Sequence, residues 1–367
     1  MIDYSLNEIA IIVLDFYDGL EYKHKHAILS NYSTPSDIFL NPKWALDYVA
    51  KNISEGAMLT VKNSLLSDEY RNYVIEKLNK KGVVAVTYLS DGYPEIFSNL
   101  PMIPLVIYAK GNLELLKAKN TFGIVGSRKT LPFVLRAGEN IAREISSSGV
   151  VVVSGSAVGG DRSALLGASE SGNVISILAS GHEHVSPQSN RDLIDKISKN
   201  GLVISEYPPE TPSTPWRFPM RNRLISALSN GVLILSGEIE SGTRHTAKFA
   251  EAYSKRLYAI PYSLGEKSGE ICNMLIKMGK AQLVENAQDV ADYEGIELQE
   301  ELDYDLEEDE IRILSVMDGS THIDDIALKT GKKSYEISPV LSMMEIKGIV
   351  SKEPNNHYVA LIKITKA

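Results

Sequence analysis

Six short apolar runs, separated by stretches of helical periodicity, constrain this chain more than any other feature. They lie at Phe122–Val125, Val150–Val153, Val174–Leu178, Val203–Ser205, Val232–Leu235 and Leu257–Ile260. Helices are expected between them, near 132–147, 161–171, 190–199, 221–229 and 243–254. A continuously apolar strand has no face to give to water, so both of its sides must be covered. Strands of that kind alternating with helices build a parallel sheet between two helical layers. The expected fold class is α/β, a doubly wound, Rossmann-like domain. In such sheets ligands sit beyond the carboxyl ends of the strands.

Three polar stretches fall at that edge. Two are glycine loops, Gly123-Ile124-Val125-Gly126-Ser127-Arg128-Lys129 and Val153-Ser154-Gly155-Ser156-Ala157-Val158-Gly159-Gly160-Asp161. Glycine lets the backbone approach a phosphate, and the N–H groups of a following helix favour the anion. The third stretch sets Arg217, Phe218, Arg221, Asn222 and Arg223 within seven residues and holds no acid. Arginine suits planar, bidentate contact with phosphate, and a neighbouring Phe or Trp offers a face on which a base can stack. Arg221 and Arg223 lie two apart, the spacing of one face of an extended segment. Neither glycine loop matches the dinucleotide fingerprint, and no glycine is followed by Lys-Ser or Lys-Thr at P-loop spacing. No NAD or ATP cofactor is expected.

The flanks read differently. Residues 1–80 show short amphipathic helices, with Ile9, Ile12, Val13 and Phe16 on one face. Val83–Tyr88 and Leu105–Ala109 read as two further strands, which extend the α/β domain to 81–288. An acidic linker is expected over 289–306. The last unit, 307–367, has helical segments near 308–317, 321–329 and 334–347 and then a hairpin ending at Tyr358–Ile362. Three helices and a hairpin describe a winged helix, with Lys329, Lys332 and Lys333 set against Asp324, Asp325 and Glu336.

The net charge of −9 does not argue against a polyanionic ligand once it is located. Residues 297–310 carry nine acids and no base, and without them the chain is balanced at 38 acids and 38 bases. Residues 121–285 hold 18 bases and 15 acids, so a local basic groove is compatible with global acidity. The lone cysteine, Cys272, excludes internal disulfides and thiolate-rich metal cages. No apolar run approaches the ~20 residues that span a bilayer, and the N-terminus lacks the features of a signal peptide. A cytoplasmic protein without a membrane partner is expected.

The motifs and their order resemble the DprA/Smf family of DNA-processing proteins over nearly the whole chain. The matching residues are Asp91-x-Tyr93-Pro94, Gly126-Ser127-Arg128, Ser154-Gly155-x-Ala157-x-Gly159-x-Asp161 and Pro187-x-x-Asn190. They continue with Ser205-Glu206-Tyr207-Pro208-Pro209, Phe218-Pro219-x-Arg221-Asn222-Arg223-x-Ile225-Ser226, Ser241-Gly242 with Thr246-Ala247, and Asn273-x-Leu275-Ile276-x-x-Gly279. The resemblance implies an N-terminal helical SAM-like domain, an extended Rossmann-like domain and a C-terminal winged helix. It also implies a homodimer that binds single-stranded DNA and loads a RecA-type recombinase during natural transformation, with no catalytic step. Carried over by position, the DNA-binding residues are Ser127, Arg128, Lys129, Ser154, Gly155, Arg217, Phe218, Arg221, Asn222 and Arg223.

The chain departs from the family pattern at Leu165, where a histidine is usual, and at Ser186, where a tyrosine is usual. Arg244 and His245 stand where apolar residues are usual. Two other readings stay open, the first from these departures and the second because related Rossmann-like folds carry nucleotide ligands. One is a divergent relative acting as antitoxin or sensor beside a cognate toxin protein in phage defence. The other is a nucleotide-binding or nucleotide-cleaving enzyme, with Ser241-Gly242-Thr243 holding a phosphate and Glu206 or Glu240 supplying a base. No nucleophile–base pair is visible, which disfavours catalysis. His182-x-His184 lacks a third ligand at a sensible spacing, so a polar loop is expected there and not a metal site.

Overall fold

The computed structural model describes residues 3–360 apart from 18–19, 54, 300–305, 318 and 348. The middle of the acidic run and the end of the expected hairpin, Leu361 and Ile362, lie outside the described residues. The chain divides into two compact units, 1–299 and 300–367.

Six helices open the first unit: α1 Leu6–Asp15, α2 Tyr22–Leu29, α3 Asp37–Leu40, α4 Lys43–Asn52, α5 Glu55–Leu66 and α6 Asp68–Lys80. Ser5 starts α1 with a capping box, its hydroxyl accepting from the Glu8 N–H while the Glu8 carboxylate accepts from the Ser5 N–H. Ile11, Ile12, Val13 and Leu14 of α1 are buried in one core with Leu105, Val106 and Tyr108. The helices therefore close over one edge of the sheet. Asp15 lies within that seam, accepting from Tyr108 Oη at 2.9 Å and from Lys25 Nζ at 2.9 Å.

The sheet has nine strands in the order β1-β2-β6-β5-β4-β3-β7-β8-β9. β1 (Val84–Thr87) and β2 (Val106–Gly111) are antiparallel additions at one edge, β2 pairing with β6. The other strands are β3 Thr121–Val125, β4 Val151–Gly155, β5 Val174–Leu178, β6 Leu202–Ser205, β7 Gly231–Ile234, β8 Arg256–Ala259 and β9 Gln282–Leu283. All of these pair in parallel. β3, β4, β5, β6 and β7 are buried along their whole length, as their unbroken apolar runs require. β9, exposed at the far edge, has no counterpart among the expected strands.

The intervening helices are α7 Pro132–Ser147, α8 Gly160–Ala168, α9 Arg191–Asn200, α10 Arg217–Leu228, α11 Thr243–Ala252 and α12 Glu270–Lys277. Residues 289–294, which composition places at the start of a linker, belong to a further helix, α13 Ala287–Glu294. Asn286 and Asp289 supply its capping box, and Ala287 and Val290 join the core beneath α7. One other boundary moves. α10 begins four residues earlier than periodicity indicates, because Pro219 falls in its first turn, where a missing N–H costs no hydrogen bond.

The second unit contains α14 Glu308–Val316, α15 Ile323–Thr330 and α16 Ser334–Ile346. Its three-stranded antiparallel sheet is ordered β10-β12-β11, from Thr321–His322, His357–Ala360 and Val350–Glu353. A separate core centred on Ile326, Ile337, Leu341, Met344 and Ile349 holds it together.

His182 lies in a short 3-10 turn, and its Nε2–H donates to the Tyr108 carbonyl at 2.9 Å. Burial lowers the imidazole to about 4, with Lys110 and Arg191 adding to the effect against that hydrogen bond. An unfolded histidine takes its proton near 6.5. Between those values the unfolded chain binds more protons, so stability rises with pH across this window and is lost as pH falls from 6.5 towards 4. Because the ring is only partly buried, we expect a loss of about 1–3 kcal/mol. Urea midpoints of wild type and His182→Gln from pH 7 to 4.5 check this. The variant should lose most of the slope.

Candidate nucleic-acid interface

The strand order reverses between β3 and β7. At such a point the loops after the two strands part and leave a crevice at the carboxyl edge. Here it is a cleft of about 720 Å³, lined by the loop after β3 (Ser127, Arg128, Lys129), the loop and helix start at Ser213–Pro219, and the turn Glu238–Thr243.

The two glycine loops meet beneath it. A Cβ on Gly160 would lie 2.4 Å from the Gly126 Cα, and one on Gly159, at φ +86°, 2.2 Å from the Ser127 carbonyl oxygen. Only glycine permits that approach. The contact fixes the Ser127 loop, whose N–H donates to Ser236 Oγ at 2.9 Å while Ser127 Oγ accepts from the Lys129 N–H at 3.1 Å.

The structure brings together half of the residues that the sequence singles out. Ser127, Arg128, Lys129, Phe218 and Asn222 line the cleft, with Arg128 and Lys129 exposed and the other three half-buried. The Arg128 guanidinium lies 5.3 Å from the centre of the Phe218 ring, a cation–π contact that joins the loop after β3 to the start of α10. In the turn that also lines the cleft Glu238 and Glu240 are exposed, and Glu240 pairs with Arg244 at 2.6 Å. An anionic chain is therefore favoured along the Arg128–Phe218 side.

The other five are buried. Arg221 and Arg223 do not share a face, because in a helix two residues turn the side chain through about 200°. Arg221 forms the cleft floor at 2% exposure, bonded to the Ile177 carbonyl and 3.5 Å from Asp161. Burial pulls the guanidinium below its usual value and pushes the Asp161 carboxyl up, each opposed by the charge of the other. Arg223 points away from the cleft and pairs with Glu206, whose carboxyl burial also raises against the pull of Arg223. Arg217 is buried beneath the rim, donating to the Pro212 carbonyl at 2.5 Å.

Ser154 is fully buried and spends its hydroxyl proton on the Ile124 carbonyl at 2.6 Å. Gly155 leaves room for the ion pair, since a Cβ there would sit 2.1 Å from Asp161 Oδ2 and 2.3 Å from Arg221 Nη2. These five residues shape the cleft from below. Sequence reasoning missed Asp161 as the partner of Arg221. The available signal was an acid directly after a glycine loop, in a domain whose arginine cluster contains no acid of its own.

Of the departures from the family pattern, Ser186 lines the cleft, and Arg244 pairs with the lining residue Glu240. Leu165 is buried in the core, and His245 is exposed on α11.

Comparisons with known proteins agree on one family. A family model described as DNA recombination-mediator protein A matches residues 84–294. The DNA processing protein DprA of Bacillus subtilis is 32% identical over 237 residues, covering 63% of this chain and 80% of the relative. The Smf protein of Synechocystis is 28% identical over 325 residues, 77% of this chain and 82% of the relative. The solved DprA of Streptococcus pneumoniae superposes with a TM-score of 0.63 at 25% identity, covering 81% of this chain and all of that one. The Helicobacter pylori DNA processing protein A, solved for its single-stranded DNA binding mode, gives a TM-score of 0.54 at 29% identity, covering 59% of this chain and 97% of that one. With the family model matching more than half of the chain and the relatives and solved structures in agreement, this chain belongs to the DNA recombination-mediator protein A family, the DprA/Smf proteins.

Proposed function

We propose that the chain binds single-stranded DNA in this cleft without sequence preference and delivers it to a RecA-type recombinase in DNA processing and natural transformation. The observation that carries the reading is the juxtaposition of exposed Arg128 and Lys129 with the Phe218 ring on one wall of the cleft. Backbone charge and aromatic stacking are what sequence-tolerant binding of an unpaired strand requires. The Helicobacter pylori neighbour, named for single-stranded DNA binding, supports the same ligand.

The protein acts in this reading as a binder, as a homodimer, and with its C-terminal winged helix as an accessory unit. Glu206 is engaged by Arg223 and is no longer available as a base, which weighs against the nucleotide-cleaving alternative. No observation favours the antitoxin reading over the family's own role. The test is anisotropy of labelled oligonucleotides, single- against double-stranded, over a salt series. Single strands should bind at least ~10-fold tighter, with log Kd rising linearly with log salt. Equal binding of the duplex, or no binding at low salt, would sink the reading.

A further inference from the structure

Trp216 has no place in the interface described so far. It is a large aromatic, 59% exposed, directly between Pro215 and Phe218-side residues that line the cleft, yet it lies outside the cleft itself. It is also held firmly. Its ring stands edge-on to Tyr207 at 6.4 Å with an interplanar angle of 90°. The buried Arg217 guanidinium lies 4.5 Å from the Tyr207 ring centre and 5.2 Å from that of Trp216. A cation clamped between two rings fixes both of them. An indole held in place while more than half open to water is pre-organised to accept a flat partner with little loss of entropy.

We infer that Trp216 is a second stacking platform, which takes an unpaired nucleobase of the strand as it leaves the cleft. The inference rests on the reading of the cleft as a single-stranded DNA site. Two observations select a base over other occupants. Trp216 directly follows Pro215, which lines the cleft, so a strand leaving the cleft past Pro215 meets the exposed indole. Trp216 and Phe218 also sit two residues apart at the start of α10, so their rings point in different directions. One base can stack inside the cleft and a later one outside it. The platform thereby lengthens the bound segment without adding charge.

The chain has two tryptophans, so Trp44→Phe leaves Trp216 as the sole indole reporter. Oligothymidylates of increasing length are titrated into this variant while anisotropy of a labelled strand follows binding independently. Trp216 fluorescence should be quenched in step with binding once the strand is long enough to reach beyond the cleft. An otherwise identical strand carrying abasic sites should bind without quenching. Trp216→Ala should weaken binding of the longer strands about 5- to 50-fold at unchanged salt slope, and Trp216→Phe should restore most of it. Thermal melts of both variants confirm that they fold.

If anisotropy reports binding while Trp216 fluorescence and the Trp216→Ala affinity stay unchanged, the platform is wrong and the cleft stands. If Trp216 quenches with protein concentration alone, in parallel with self-association in sedimentation, the ring belongs to a contact between copies and the inference is overturned. If no strand binds at low salt, the reading of the cleft fails first and the platform with it.

Discussion

Arg221→Ala is expected to destabilise the protein by about 3–5 kcal/mol, the usual cost of removing one partner from a buried ion pair. The residue is 2% exposed, and its loss would strand Asp161 in a site where burial already pushes the carboxyl up. It would also leave the Ile177 carbonyl without its donor. Against a total stability of roughly 5–15 kcal/mol, such a variant is marginal, with a melting midpoint lower by about 10 °C. Urea unfolding checks this. Adding Asp161→Asn to Arg221→Met should recover part of the loss, since two neutral groups strand no charge. A fully stable Arg221→Ala protein that has lost DNA binding would show that the guanidinium serves the ligand and not the floor. Loss of binding by Arg221→Ala is therefore not, by itself, evidence for a phosphate contact.

The complementary expectation concerns the exposed pair. Arg128→Ala/Lys129→Ala should change folding stability by no more than about 0.5 kcal/mol, because neither cation is buried. Binding of single strands should weaken by about 10- to 100-fold near 0.1 M salt. The log–log salt slope should become shallower by about 1.4, because each phosphate contact on a single strand contributes about 0.7. Parallel titrations of wild type and variant from 50 to 300 mM salt measure both quantities. An unchanged slope would remove these residues from the phosphate path and move the search to the other walls.

The contrast between these two variants shows how far sequence patterns reach. Apolar runs such as Val150–Val153 and Val174–Leu178 have a single low-energy use in water, so the sheet follows from them directly. The edge at which the polar loops gather follows as well, because chain direction in βα units is fixed by the right-handed crossover. Capping residues are local too, but the Asn286–Asp289 capping box that starts α13 was passed over where an acidic composition pointed to a linker. Ser127, Arg128 and Lys129 were legible as residues of the cleft lining because they follow a strand end and no hydrophobic need draws them inward.

What the sequence determined by itself is most of the elements of the sheet domain, their alternation and the edge where the polar loops gather, because periodicity and turn chemistry act over a few residues. Only the tertiary structure decided which arginine meets solvent. Arg217, Arg221 and Arg223 are chemically identical and nearly adjacent, but one helix turns them towards Tyr207, Asp161 and Glu206 respectively. Those partners come from distant segments, and the desolvation that makes each pairing obligatory exists only once the chain has closed around it.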